Sequence, residues 1–186
     1  MSGVGLKVVF EKRGKGFAKA QEAIPWAVAN GLNEGGRLVF TQVRRGLKTQ
    51  VNPKAYRTIT SRTYAMAATP ESLVFTIVVK GKPIPIKEFP VRRVAAGVEA
   101  APWGLTRTFQ RSYQEKNGSG GYIPNAWRAR LTQEREPVRV LLGPNLAKEM
   151  LGITRHNDRM PRLFSDQAAL LVPPALLKLL GRAMGV

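Results

Sequence analysis

The sequence contains no cysteine and a single histidine, so several kinds of chemistry lack the residues that they require. Without cysteine there are no disulfide bonds, thiolate metal sites or cysteine nucleophiles. His156 has Arg155 and Arg159 beside it, two cations that oppose a metal ion, and Asp158 is its one neighbouring carboxylate. The sequence therefore predicts neither a metal site nor a histidine general base.

Acidic residues are also scarce, with 12 Asp and Glu in the chain, and their spacing does not suggest a paired acid and base. The sequence has no Gly-x-Ser-x-Gly elbow, and its glycine segments around Gly14 and Gly81 do not precede a helix as a phosphate-binding loop does. No catalytic, metal-binding or cofactor-binding residue is predicted. We expect a protein that is not an enzyme and that uses no cofactor.

Long apolar runs are missing as well. No segment approaches the ~20 apolar residues that a membrane span needs. Residues 1–12 alternate apolar and charged side chains instead of forming the apolar core of a secretion signal. We therefore expect no membrane partner and no cleaved signal.

Positive charge is the most unusual property that is present. Thirty Lys and Arg against 12 Asp and Glu give a net charge of +18 and a pI of about 11.1. Many of these side chains are expected to be solvated, but an excess of this size attracts polyanions and destabilises a compact monomer by self-repulsion. Charge alone admits DNA, RNA, an anionic membrane or an acidic protein surface, and of these the membrane is not among the partners that we expect.

The length of 186 residues predicts one domain with terminal extensions. We divide the chain into an N-terminal arm over residues 1–16, an α+β domain over 17–152, and an Arg-rich connector with a helical tail over 153–186. Within the arm, residues 5–12 have the β-branched and aromatic composition of an edge strand.

Residues 17–51 carry apolar side chains mostly at three- and four-residue steps, which predicts one long bent helix or two stacked pieces. Pro25 and the pair Gly35-Gly36 are the expected weak points. No acidic residue lies between Glu34 and Glu71, so the polar face of this helix is predicted to be cationic. The candidate polyanion or partner contacts, with two arginines from a later strand, are Arg37, Arg44, Arg45, Lys48, Lys54, Arg57, Arg128 and Arg130.

The middle of the chain has the pattern of antiparallel strands. Runs 58–68 and 72–80 flank a turn at Pro70, and the second run is apolar enough to predict a central strand. A hairpin is expected over 90–103 with glycine at its turn, a flexible loop at 116–121, and further strands at 127–132 and 138–142. The predicted fold class is α+β, a long N-terminal helix packed on an antiparallel sheet of hairpins, with C-terminal helices.

The C-terminal part is predicted to be helical and apolar. A short helix is expected to start near Pro144 and to stop at Gly152. After the connector, a last helix is capped by Ser165 or Asp166, is broken by Pro173-Pro174, and resumes at Ala175. Such a tail either packs on the core or docks on a neighbouring subunit. The candidate subunit contacts are Leu170, Leu171, Leu176, Leu177 and Leu180.

Three blocks of the sequence together resemble one protein family. They are Lys80-Gly-Lys-Pro-Ile-Pro-Ile-Lys-Glu-Phe89, the corner Pro102-Trp103-Gly104, and Leu142-Gly-Pro-Asn-Leu-Ala-Lys-Glu-Met150. With the long helix before them, these blocks are similar to the prophage minor tail protein Z family, the tail completion proteins of long-tailed phages such as lambda. The similarity covers residues 17–150 and is loose between 106 and 124.

This resemblance implies a structural virion protein without enzymatic activity. It would complete the tail at its head-proximal end, in the neck, and so enable head-tail joining; it would be found in the virion and, during assembly, in the host cytoplasm. The implied partners are the tail terminator, the tail tube and the head-tail connector, with contact to the genome end or the tape-measure protein. Proteins of such necks generally form rings, often hexamers.

The charge alone also allows a function of a different class. A free-standing nucleic-acid-binding protein would use Arg44, Arg45, Lys48 and Arg57 on the phosphate backbone. The three tryptophans would offer stacking surfaces in such a protein, although partial burial is their commoner role.

Overall fold

The computed structural model describes residues 17–134, 136–153 and 159–184. The predicted strand at 5–12, His156 and most of the residues next to it lie outside the described residues. Four helices, eight short strands and two 3-10 turns make up the described chain. The α+β class, with a long N-terminal helix, antiparallel sheets and C-terminal helices, is confirmed.

Helix α1, Phe17–Val51, is a single element of 35 residues, which at 1.5 Å per residue is about 50 Å long. It contains Pro25 and continues through it. Its C-terminal half supplies a stripe of buried side chains at four-residue steps, Val39, Val43, Leu47 and Val51. This stripe forms one side of the core.

The rest of the core comes from segments far away in sequence. The block at 80–89 contributes Ile84, Ile86 and Phe89, all at most 1% exposed, and the C-terminal helices contribute Leu146 and Met160. Burying a side chain of this size contributes about 1.5–3 kcal/mol each. The block with alternating prolines is therefore a centre of packing and not a surface loop.

Three small antiparallel sheets replace the single sheet that was predicted. The first pairs β1 (Thr63–Met66) with β2 (Thr76–Val79). The second has the order β3 (Val91–Val94), β4 (Gly97–Ala100) and β5 (Arg107–Gln110). The third has the order β6 (Ser112–Lys116), β7 (Tyr122–Arg130) and β8 (Val138–Val140).

The predicted hairpin over 90–103 is present as β3 and β4. Its turn consists of Ala95 and Ala96, and Gly97 is the first residue of β4 with a φ of +143°. A Cβ at Gly97 would overlap the carbonyl oxygen of Phe109 on β5. Glycine is required here because the neighbouring strand approaches the backbone and because other residues rarely adopt this φ.

Two predictions for the β region are wrong. The run at 72–80 is not a central strand, because only Thr76–Val79 are extended and they pair with β1 alone. Leu73 takes a φ of +42°, and Leu73 and Val74 are exposed, so the apolar run is divided between a loop and a strand. In the run at 58–68, residues Arg57–Thr60 form the short helix α2 before β1 begins.

The short C-terminal helix follows the prediction closely. Helix α3, Leu146–Met150, begins after Asn145, whose side chain accepts hydrogen bonds from the N–H groups of Ala147 at 3.0 Å and Lys148 at 3.2 Å. Gly152 ends it with a φ of +67°, the left-handed conformation that favours glycine after a helix.

The last helix departs from the prediction at both its start and its middle. Helix α4, Arg159–Met184, starts within the expected connector, and it runs through Pro173-Pro174 without a break. Pro161 lies in its first turn, where a missing N–H costs nothing. Tertiary packing holds the two interior prolines in the helix, because residues before and after them contact α1.

Helices α1 and α4 lie antiparallel in close contact. A Cβ placed at Gly31 would lie 2.9 Å from Cα of Leu176, and one placed at Gly35 would lie 2.9 Å from Cα of Val172. Gly35, which looked like a weakness in the sequence, is thus part of what allows the close approach, whereas Gly36 leaves room for the Phe75 ring. Because Met160 also joins the main core, α4 packs on its own chain, although the proposed division at residues 16 and 152 stays a prediction.

Candidate functional site

The predicted cationic stripe divides into inward-held and outward-facing side chains. Arg44 is held inward: its Nε donates to Oγ1 of Thr63 at 2.9 Å, a terminal nitrogen donates to the carbonyl oxygen of Thr63 at 2.7 Å, and its guanidinium lies 3.9 Å from the centre of the Phe40 ring. These contacts tie α1 to β1. Arg44 is thus engaged within the chain, and its role as a polyanion contact stays a prediction.

Two lysines of the same set lie at the end of α1 and just beyond it. The ammonium of Lys48 donates to the carbonyl oxygen of Pro53, and that of Lys54 donates to the carbonyl oxygen of Lys87 at 3.5 Å. A cation near a helix C-terminus is stabilised by the helix dipole. Lys48 is therefore occupied, whereas Lys54 remains exposed.

Arg37, Arg45 and Arg57 are exposed, and no acidic side chain in the described part of the chain pairs with them. The first two lie on α1 and the third on α2. These three, like the exposed Lys54, remain available to an anionic partner.

Arg128 and Arg130 lie on β7 and are engaged only in part. Nε of Arg128 is 3.0 Å from Oε2 of Glu115, and the guanidinium of Arg130 lies 5.4 Å from the centre of the Tyr113 ring. Pairs of this kind at the surface contribute little to stability and leave guanidinium donors free for a partner.

Other cations stack on aromatic rings in a way that the sequence analysis missed. Arg93 lies 3.9 Å and Lys116 lies 5.0 Å from the centre of the Tyr122 ring. Arg111, with a φ of +57°, lines with Arg130 an open cleft of about 410 Å³ between the second and third sheets. For Arg111, Lys116 and Arg130 the signal was the interleaving of tyrosine with basic residues over 111–130, a signal that does not cover Arg93.

The tail leucines also divide into two groups. Leu176 and Leu180 are 4% and 5% exposed, and Leu171 packs against the core. Leu170 and Leu177 are 64% and 70% exposed and lie seven residues apart, on one face of α4. Only this second pair is available for a subunit contact.

Helix α4 also bears on the expectation about membranes. Its residues Arg159–Ala183 are long and apolar enough to cross a membrane by length and composition, with a mean hydropathy of 1.3 in the most apolar window. The expectation that no segment approaches such a length is wrong, because the helix continues through Pro173-Pro174. One helix of this kind is weak support for a span, and the absence of a membrane partner stays a prediction.

The outer edge of the third sheet is open. Every residue of β8 is exposed, and β7 is its one strand neighbour among the described residues. The N–H of Leu131 donates to Pro137 and that of Leu141 donates to Trp127, both at 3.0 Å. Because donors alternate along an antiparallel ladder, the backbone groups of Val138 and Val140 point away from β7.

A buried carboxylate joins two of the sequence blocks. Glu149 on α3 is fully buried, and its oxygens accept hydrogen bonds from Nε1 of Trp103 at 2.9 Å and from the side-chain amide of Gln50 on α1. This contact fixes the Pro102-Trp103-Gly104 corner against both helices. Within the described residues no group of three His, Asp or Glu side chains is placed to hold a metal ion.

These sites offer surfaces on which a partner could bind. They comprise three exposed arginines, a pair of exposed leucines and a short open sheet edge. Comparison of the chain with protein-family models, with curated proteins and with solved structures found no match.

Proposed function

We propose that this chain is a structural protein of a long-tailed bacteriophage that completes the tail at its head-proximal end and so enables head-tail joining. It acts as an oligomer, in a ring, and works by contact with other proteins of the neck. The sequence blocks at 80–89, 102–104 and 142–150 support the family, and two of these blocks form the contact between Trp103 and Glu149.

The observation that carries an assembly role is the open edge of β8. Val138 and Val140 are 38% and 46% exposed, and their outward-pointing backbone donors and acceptors have no partner among the described residues. An edge of this kind is a ready template for pairing with another chain. Leu170 and Leu177 add a second exposed apolar surface on a different element of the fold, α4.

Two measurements test this function. Light scattering after size-exclusion chromatography is expected to show an oligomer, and electron microscopy of labelled particles is expected to place the protein where the tail meets the head. A protein that remains monomeric at all concentrations and is absent from purified particles would overturn the proposal.

A second candidate function, nucleic-acid binding through the phosphate backbone, is favoured by the lack of counter-charges around Arg37, Arg45 and Arg57 in the part of the chain that the structure describes. Backbone binding predicts that log affinity falls linearly with log salt concentration, with a slope set by the number of phosphates contacted. An affinity for duplex or single-stranded DNA that does not change with salt would remove this candidate.

A further inference from the structure

Two arginines are cross-strand neighbours at the end of the β6 and β7 ladder, and both line the cleft between the second and third sheets. The N–H of Arg130 donates to the carbonyl oxygen of Arg111 at 3.0 Å, one step beyond the registered pair Ser112 and Ala129. Like charges at opposed positions of a sheet repel each other and weaken the pairing. An anion bound between the two guanidinium groups would remove this repulsion.

The acidic side chains of the two sheets do not supply that anion. Glu115 on β6 pairs with Arg128 at 3.0 Å, and Glu99 on β4 accepts two hydrogen bonds from Arg92, both at 2.9 Å. Within the described part of the chain, no carboxylate lies within ion-pair distance of Arg111 or Arg130. The positive charge in the cleft is therefore not neutralised by the described residues of the protein itself.

The backbone of Arg111 gives a second, independent reason to look for a ligand. Arg111 is the single residue between β5 and β6, and it has a φ of +57°. Glycine is the usual residue in this conformation, because a side chain there costs free energy. Arg111 is exposed, so burial of its side chain does not offset this cost. Unfavourable backbone geometry of this kind is concentrated at functional sites.

The other walls of the cleft add hydrogen-bond donors. The turn Ala95-Ala96 lies on the side of the second sheet, and the N–H groups of these two residues donate to no backbone acceptor among the described residues. Gln133, which follows β7, contributes an exposed side-chain amide. Donors thus come from three separate segments of the chain.

Donors on several sides of a cleft fit a phosphate group better than a carboxylate. A carboxylate is planar, and the fork of one arginine satisfies both of its oxygens. A phosphate group has oxygens that point in several directions, and arginine forks and backbone N–H groups are the donors that recognise it. The cleft of about 410 Å³ also lies within the size range of small-molecule sites, so it has room for a nucleoside attached to the phosphate.

We infer that this cleft binds the phosphate group of a nucleotide or of a nucleic-acid chain, with Arg111 and Arg130 as the ligands of its oxygens. The Tyr113 ring, whose centre lies 5.4 Å from the guanidinium of Arg130, supports that side chain within the cleft. The site lies on the sheets and not on α1 or α2, where the exposed arginines discussed above are found. It does not depend on the proposed tail function.

Two substitutions and a matched control test the site. Arg130→Gln removes one guanidinium, and Arg111→Gly removes the other and places glycine at the positive φ. Arg139→Gln is the control, because Arg139 on β8 is registered with Ala129 and so projects from the opposite face of the same sheet to Arg130. All three variants remove one positive charge, so a difference among them cannot come from total charge.

Binding is measured by titration calorimetry at constant ionic strength with thymidine 5′-monophosphate and with a short oligothymidylate. Thymidine and acetate are the comparison ligands, which lack the phosphate. Saturable binding of at least one phosphate probe is expected, weakened about tenfold or more by Arg130→Gln and by Arg111→Gly and changed less than about twofold by Arg139→Gln. Binding of the mononucleotide indicates a free ligand, and binding of the oligonucleotide alone indicates a nucleic-acid chain.

Thermal unfolding separates loss of binding from loss of the fold. Arg111→Gly is expected to be at least as stable as the natural protein, because glycine adopts this backbone conformation without strain. The inference is overturned if neither phosphate probe binds, if thymidine or acetate binds as tightly, or if Arg139→Gln weakens binding as much as Arg130→Gln does. A destabilised Arg111→Gly variant together with normal binding by Arg130→Gln would also overturn it. None of these results bears on whether the protein enters phage particles.

Discussion

The indole N–H of Trp103 donates to Oε1 of Glu149 at 2.9 Å, and this bond joins two segments that are 46 residues apart. The other oxygen of Glu149 accepts from the amide of Gln50, and Gln50 Oε1 has no hydrogen-bond partner among the described residues. This buried carboxylate therefore fixes the position of residues 102–104 relative to α1 and α3.

Replacing Glu149 by alanine is expected to lower the free energy of unfolding by about 2–4 kcal/mol, because two buried donors lose their acceptor. Glu149→Gln is expected to cost about 1 kcal/mol or less, since the Gln50 amide can reverse and present its unpaired Oε1 to the new NH₂ group. Urea unfolding of both variants measures the difference. Equal losses for the two substitutions would show that the charge, and not the hydrogen bonding, is what matters.

Gly31→Ala is expected to destabilise the protein by about 1–3 kcal/mol, although alanine is the better helix former, because its Cβ would overlap the backbone and side chain of Leu176. Gly118→Ala is the control, since nothing lies within 4 Å of that position, and its effect should stay within about 0.5 kcal/mol. Thermal and urea unfolding test both. A neutral Gly31→Ala would mean that α4 moves away from α1 easily.

Substitutions of the tail leucines should distinguish side chains that stabilise the fold from side chains that contact another protein. Leu176→Ala is expected to cost about 2–4 kcal/mol, as for other buried leucines. Leu170→Gln combined with Leu177→Gln should change stability little but should reduce association of the protein with its partners or with itself. Unfolding curves and light scattering distinguish the two effects, and an unchanged oligomer in the double variant would remove these leucines from the contact surface.

The exposed arginines should matter for polyanion binding and not for folding. The triple variant Arg37→Gln, Arg45→Gln, Arg57→Gln is expected to weaken DNA binding and to reduce the steepness of its salt dependence by about 2–3 in a plot of log affinity against log salt. The control removes the same charge from α4, at Arg159, Arg162 and Arg182. If both triple variants bind alike, total charge and not this surface determines the affinity.

The ion pair between Glu34 and Lys178 makes a small pH-dependent contribution. The hydrogen bond from Lys178, and then its positive charge, lower the pKa of the Glu34 carboxyl below its usual value of 4.5. Because the folded pKa is lowered, the stabilisation is present above pH 4.5 and is lost as pH falls through the folded pKa. The stability difference from Glu34→Gln should therefore be seen at neutral pH and should vanish in strong acid.

Strong local patterns were enough to predict some elements. The helical spacing from Phe17 to Val51 predicted α1, and Gly152 predicted the end of α3. Gly97 predicted the β3 and β4 hairpin, although the turn itself is Ala95-Ala96 and Gly97 begins β4. In each case the signal lies within a few neighbouring residues, so it does not depend on what the segment packs against.

The features that the sequence did not predict depend on distant partners. Arg44 turns inward because Thr63 offers it two acceptors, and Glu149 is buried because Gln50, 99 residues away, is placed to donate to it. Proline favours a helix break, but at Pro173-Pro174 the packing of α4 against α1 keeps the helix continuous. The arginines could be named from the sequence, but only the structure separates the exposed ones from the inward-held one.

The two adjacent prolines of α4 have a mechanical consequence. Neither has an N–H, so the carbonyl groups of Ala169 and Leu170 lack the donors that a regular helix would provide. Two backbone hydrogen bonds are therefore missing in one turn of α4. This turn lies between Met160, which packs in the main core, and Leu176, which packs on Gly31. Because Val172 and Leu176, on either side of the prolines, pack on Gly35 and Gly31, it is contact with α1 and not its own backbone hydrogen bonding that keeps α4 helical in this turn.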